Sequence, residues 1–176
     1  MAAYHHGNLR DAILDSAART VAAEGVGGLS LRAIAKEIGV SHTAFRRHFG
    51  SREGVLNALA VQGNRMLAAA LRTETDFLEV GVAYVRFALA HPGHFTVMFR
   101  SDLLDNDDPD LVAARAAAGA PLTSGVADLQ LDDPEAGKVT GWAVVHGIAT
   151  LALTGNLRGD PVELARGALR QTYPHP

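Results

Sequence analysis

The stretch Leu29-Ser-Leu-Arg-Ala-Ile-Ala-Lys-Glu-Ile-Gly-Val-Ser-His-Thr-Ala-Phe-Arg-Arg-His-Phe49 limits this chain more than any other. Leu31, Ile34, Ala35 and Ile38 recur at helical spacing and form one apolar stripe. Gly39 stands where a left-handed residue would end that helix, a conformation glycine adopts without steric cost. Val40 can fill the angle that follows, and Ser41 is a good N-cap for a second helix. On that helix Phe45 and Phe49, four residues apart, are expected to face inward. His42, Thr43, Arg46 and Arg47 then point outward. An exposed helix with donors and positive charge, braced by the helix before it, is the arrangement that enters a DNA major groove. The pattern predicts a helix-turn-helix. An ordinary helical hairpin with solvated arginines is the plainer alternative, and the flanking sequence weighs against it.

Upstream, Asn8 is placed to cap a helix through about Glu24, with Leu9, Ile13, Ala17 and Val21 on one face. Gly25 stops it, and residues 26–28 read as a loop. Downstream, Gly50 can end the recognition helix and Ser51 can cap a fourth, with Arg52 and Glu53 in its first turn. Three short helices leading directly into a longer one make a compact unit.

In its N-terminal third the chain resembles the tetracycline-repressor (TetR) family of bacterial transcription regulators. The resemblance rests on Gly25, Leu31-Arg-Ala-Ile-Ala35, Gly39-Val-Ser41, His48-Phe49 and Ser51-Arg-Glu53 leading to Leu56, over roughly residues 8–60. The opening Tyr4-His-His-Gly-Asn-Leu-Arg10 looks like the start of one subgroup, and Trp142 with His146-Gly147 looks like that subgroup's C-terminal signature. The family usually has Leu-Tyr where this chain has Phe45-Arg46. That tyrosine touches the DNA backbone, so the resemblance implies that Arg46 does so with a charge, and operator preference does not carry over from relatives. The resemblance also implies a repressor released by a small molecule that shifts the spacing of two DNA-reading heads.

The net charge of −3 looks wrong for a DNA binder until it is divided along the chain. Residues 1–52 carry +3 and the remainder −6, as expected for a nucleic-acid-binding head on an acidic body. An excess of three is modest, so tight binding calls for two heads acting together. The absence of cysteine excludes disulfides and thiolate metal sites and suits a reducing cytoplasm. The N-terminus has no signal-peptide pattern. The apolar run from Val139 to Leu153 is shorter than the roughly 20 residues a membrane span needs and reads as a buried helix.

The expected fold is all-α: a helix-turn-helix head at residues 1–50 and a helical effector-binding and dimerising body at 51–176, about nine helices in total. Helices are expected from Ser51 to about Arg72 and from about Glu74 to Ala90, the latter with Phe77, Val80, Tyr84, Val85 and Leu89 inward. His91-Pro-Gly93 is expected to break the chain before a short helix with Phe95, Met98 and Phe99. Asp102 to Asp108 reads as a polar loop. Asp108-Pro109, Asp133-Pro134 and Asp160-Pro161 each pair an N-cap with proline at the first helical position. The path between Gly119 and Gln130 is the least defined.

Other chemistries fit less well. The aspartates between 102 and 110 lack the glycine and closing glutamate of a calcium loop. His91 and His94 have no acidic or thiol partner at ligand spacing, and His5-His6 reads as part of an arm near DNA. No nucleophile elbow, phosphate loop or dinucleotide fingerprint is present. No enzyme, metal or cofactor is expected.

The DNA contacts are assigned to Ser41, His42, Thr43, Arg46, Arg47 and His48, with Arg32 and Arg52 on phosphates. A mostly apolar effector site is expected from Met66, Phe77, Tyr84, Phe87, Phe95, Met98, Phe99, Trp142 and His146. For His146 a core histidine is the competing reading. The helix from Pro134, apolar nearly all round, and the last helix are expected to make a four-helix contact between two subunits. Gly141, Ala152, Val162, Ala165, Ala168 and Leu169 are assigned to it. The partners are therefore double-stranded DNA, a small-molecule effector and a second copy, with no membrane. Two rivals share the fold: a ligand-binding or interaction protein without DNA recognition, and a sequence-indifferent DNA binder.

Overall fold

The computed structural model describes residues 6–173, and for residues 6–8, 42 and 44 the backbone alone. Its described residues form nine α-helices and two short 3-10 turns, with no strand. The all-α expectation holds. In chain order they are α1 (His6–Glu24), α2 (Leu31–Ile38), α3 (His42–Phe49), α4 (Arg52–Leu71), α5 (Phe77–Ala90), α6 (Pro92–Met98), α7 (Pro109–Asp128), α8 (Pro134–Leu153) and α9 (Pro161–Thr172).

Two compact units result. One comprises residues up to 63 together with 91–112, the other 64–90 together with 113 onward. Helices α4 and α7 each contribute to both.

In the first unit, Leu9, Ile13, Ala17 and Val21 form the buried face of α1, as their spacing predicts. Helix α1 extends upstream of Asn8, which lies inside it rather than at its cap. Residues 26–28 form a 3-10 turn instead of a loop. The start of α2 is fixed by Ser30, whose hydroxyl accepts from the Ala33 N–H at 3.4 Å, a cap the sequence reading passed over. Gly39 ends α2 with φ 75° and ψ 30°. Its N–H and that of Val40 return to the carbonyls of Lys36 and Ala35, the two bonds of a Schellman motif.

Helix α6 closes this unit by packing on α1. Its start is the His91-Pro-Gly93 segment, which therefore opens a helix as well as ending one, with Pro92 in the first turn. At Gly93 a Cβ would lie 2.0 Å from the Ala18 carbonyl oxygen, so only glycine permits the two backbones to approach this closely. We expect Gly93→Ala to destabilise this unit by about 1–3 kcal/mol through overpacking against backbone that cannot yield. Denaturant unfolding measures this, and an unchanged midpoint would show that α6 does not sit on α1.

The second unit is built on α5, against which α8 and α9 pack, the last two also touching each other. Because neighbours cover it on more than one side, Val82, Tyr84, Val85, Phe87 and Ala88 are all buried. Val80 and Leu89, expected inward, are only half-buried. The helix begins three residues later than the sequence suggested, because Asp76 caps it through the N–H groups of Leu78 and Glu79 at 2.8 and 3.1 Å. Asp108, Asp133 and Asp160 cap α7, α8 and α9 as expected. The undefined stretch after Gly119 is helical: α7 runs through Pro121. Gly125 leaves room for the Phe77 ring, which a Cβ there would meet at 2.2 Å.

Candidate nucleic-acid interface

Helix α3 has one buried and one open face. Phe45 and Phe49 are 0% and 9% exposed, with ring centroids 5.8 Å apart. Ser41, Thr43, Arg46 and Arg47 are exposed. The spacing of 43, 46 and 47 puts three donors on one side of the helix. Ser41 stands directly before the first residue of α3, and its carbonyl accepts from the Phe45 N–H at 3.1 Å. His48 is half-buried beside Phe49, with ring centroids 6.4 Å apart. The side chain of His42 lies outside the described ones. Arg32 and Lys36 on α2 are exposed.

The other cations of the head are engaged within the protein. Arg19 and the buried Ser16 both donate to Glu37, at 2.7 and 2.6 Å, tying α1 to α2. These two bonds hold the Glu37 carboxyl below its ordinary value, the Ser16 hydroxyl having the larger influence. The Arg10 guanidinium lies over the Phe49 ring at 5.7 Å. Arg52 donates to the carbonyls of Leu29 (3.3 Å) and Val26 (2.5 Å), clasping the turn before α2. Arg52 was assigned to a phosphate, and its main visible work is this clasp.

The body residues assigned to an effector separate into local groups. In the first unit, Phe95 and Phe99 meet with ring centroids 5.1 Å apart, and Met98 packs against Gly63. Beside them His94 is 7% exposed, and its Nε2 pairs with Gln62 Oε1 at 3.0 Å. Burial, then the neighbouring His91, keeps the His94 imidazole below its ordinary value.

In the second unit Phe77 stacks edge-on against Tyr173, with centroids 5.0 Å apart. Phe87 is buried and Met66 half-buried. Trp142, Tyr84 and His146 form a hydrogen-bonded chain. The Trp142 indole donates to the Tyr84 hydroxyl at 3.3 Å, which meets His146 Nδ1 at 2.9 Å. Because the tyrosine oxygen already accepts from the indole, its own proton is the natural donor to Nδ1. Burial lowers the His146 pKa and raises that of Tyr84 well above the usual phenol range. An open groove of about 600 Å³ in this unit is lined by Asp76, Leu78, Glu79, Arg166 and Arg170, and is charged rather than apolar. Arg166 there bridges Glu79 on α5 and Glu163 on α9.

Several residues assigned to a subunit contact face inward instead. Ala165 and Leu169 are 0% and 2% exposed. A Cβ at Gly141 would sit 2.4 Å from the Tyr173 hydroxyl, so that glycine makes room for Tyr173 of its own subunit. Ala152, Val162 and Ala168 are half-buried. The sequence pattern showed that α8 has apolar residues on several sides, but not which side the body would cover. Tyr173, which donates to the Gly137 carbonyl at 2.6 Å, was missed altogether.

The aspartate-rich segment serves local structure. Arg100 binds Asp102, and Asp108 caps α7 while accepting from Asn57 at 2.7 Å. No helix among the described residues is long and apolar enough to cross a membrane.

Comparison with known proteins accounts for both parts of the chain. A family profile described as "Bacterial regulatory proteins, tetR family" matches residues 13–59. A second, "Tetracyclin repressor-like, C-terminal domain", matches residues 77–172. The chain belongs to the tetracycline-repressor family. This regulator is 28% identical to the uncharacterized HTH-type transcriptional regulator Rv0681 of Mycobacterium tuberculosis, over 83% of the chain and 71% of that protein. Among solved structures it is similar to a protein of unknown function from Rhodococcus sp. RHA1, at TM-score 0.81 and 36% identity, covering 98% and 96% of the two chains. The multidrug binding protein EbrR, solved with imidazole, shares the fold at TM-score 0.63 and 24% identity, covering 95% and 96%. As a member of this family the chain is a transcriptional regulator.

Proposed function

We propose that this regulator is a repressor that binds a palindromic operator as a symmetric dimer and responds to a small molecule. Residues 1–50 read the DNA, and residues 51–176 bind the effector and the second subunit. The observation that carries the DNA reading is the two-sided character of α3. Thr43, Arg46 and Arg47 lie exposed opposite the buried Phe45 and Phe49. Those three side chains, with Ser41, are suited to the groove, and Arg32 and Lys36 to the flanking phosphates.

A dimer is supported by the large apolar side chains left exposed on α8 and α9: Val139, Trp142, Leu151, Leu153 and Leu164, at 63, 45, 44, 37 and 40%. Large apolar side chains in such number on two adjacent helices are expected to be covered. Two heads related by a twofold axis then require two half-sites. Effector response rests on family membership, and the name of EbrR offers a precedent for ligand binding on this fold. Such a ligand shifts DNA binding only by its difference in affinity between two states.

The test is selection of DNA from a random pool, followed by sedimentation of the complex. The expected result is an inverted-repeat site holding two chains. Enrichment of no sequence, with binding that ordinary competitor DNA abolishes, would point to the sequence-indifferent binder instead.

A further inference from the structure

Arg10 is held differently from Arg19 and Arg52, two other arginines of the first unit. Arg19 donates to the Glu37 carboxylate, and Arg52 donates to the Leu29 and Val26 carbonyls. Arg10 is exposed, with its guanidinium carbon 5.7 Å from the centroid of the Phe49 ring. Among the described residues it has no hydrogen bond and no ion pair. A ring face attracts the positive charge and leaves the N–H donors of the guanidinium for other acceptors.

Phe49 fixes where this guanidinium stands. It is the last residue of α3, three after Arg46 and about 60° from it around the helix. Side chains at that spacing are neighbours, with Cβ atoms about 5–6 Å apart. Arg46 is exposed and, like Arg10, has no hydrogen bond or ion pair among the described residues. Two guanidinium groups from different helices therefore border one edge of α3 with no carboxylate bound to either. Their like charges repel in the free protein, and a polyanion laid along that edge removes the repulsion.

We propose that Arg10 is a further DNA contact, a clamp from α1 on a backbone phosphodiester at the edge of the groove that α3 enters. This rests on the DNA reading above and adds to it a residue outside the helix-turn-helix. The chemistry suits a guanidinium. Its planar fork of donors matches two phosphate oxygens, and it is hydrated more weakly than an ammonium, so less water is given up. Resting on Phe49 restricts the long side chain before DNA arrives, which leaves less rotamer freedom to lose on binding. A phosphate contact of this kind carries no base preference and fixes the register of α3 in the groove.

The experiment compares the parent, Arg10→Gln and Arg10→Lys on the inverted-repeat duplex enriched from the random pool, at about 50 and 200 mM salt. Each phosphate contact contributes about 0.9 to the slope of log affinity against log salt. One contact in each of two heads thus amounts to about tenfold in affinity over this range. Arg10→Gln is expected to bind more weakly than the parent at low salt, with the gap narrowing about tenfold at the higher salt. Arg10→Lys keeps the charge and should keep the parent's slope.

A second measurement changes the DNA instead. Neutral methylphosphonates are placed singly along the duplex, and one position in each half-site that weakens the parent should have no effect on Arg10→Gln. The melting temperature and far-UV circular dichroism of the free variant should stay near the parent's, because the side chain is exposed. An unchanged salt slope in Arg10→Gln, whether or not its affinity or melting temperature falls, would make Arg10 only a brace for Phe49. So would an identical methylphosphonate pattern in the two proteins. Either result would overturn this contact while leaving the DNA reading intact. A pool that yields no site, or a parent that binds no duplex, would overturn the DNA reading itself and this contact with it.

Discussion

Leu169→Arg is expected to unfold the second unit, with a loss of more than about 4 kcal/mol. Leu169 is 2% exposed, and its Cδ1 lies only 2.5 Å from where a Cβ on Gly81 would be, with Val145 also at that point. A guanidinium placed there would enter the apolar contact of Leu169 with Gly81 and Val145. A buried unpaired charge costs several kcal/mol even after the surroundings relax. The neighbouring Arg166 and Arg170 on α9 add like charge. Leu164→Arg, on the exposed side of the same helix, makes the contrast. It should leave urea unfolding of the subunit nearly unchanged while weakening self-association. Similar stability for Leu169→Arg and the parent would mean that α9 does not pack as described.

Replacing Arg46 and Arg47 together by alanine should weaken operator binding by about 2–6 kcal/mol, at about 1–3 for each groove or phosphate partner. Both side chains are exposed, so circular dichroism and melting should hardly change. If either arginine sits on phosphate, the dependence of log affinity on log salt should become shallower by about one for each head. Arg52→Ala should behave differently. Its guanidinium holds the Val26 and Leu29 carbonyls, so its loss should lower the melting temperature along with DNA affinity. Unchanged mobility-shift affinity in the double variant would show that α3 is not the recognition helix.

The sequence by itself determined the order of helices in the head and the buried faces of α1 and α3. There the signals are local: Gly39 needs a left-handed backbone, Ser30 and Ser51 cap the helices that follow them, and Phe45 and Phe49 share a face at four-residue spacing. Periodicity reports which residues of a helix share a side, and in a short amphipathic helix only one side is apolar enough to bury. The body resisted the same reading because α5 and α8 are apolar on several sides, which leaves periodicity with nothing to choose between. Only the tertiary structure decided that Gly141, Ala165 and Leu169 turn inward while Val139, Trp142 and Leu164 turn out. Contacts between residues distant in sequence carry no local mark either. Gly93 on the Ala18 carbonyl, Arg52 on the turn before α2, Tyr173 on Gly137 and the Trp142–Tyr84–His146 chain depend on which helices come together. That choice is made by the packing of whole faces, a property of the assembled chain and not of any segment of it.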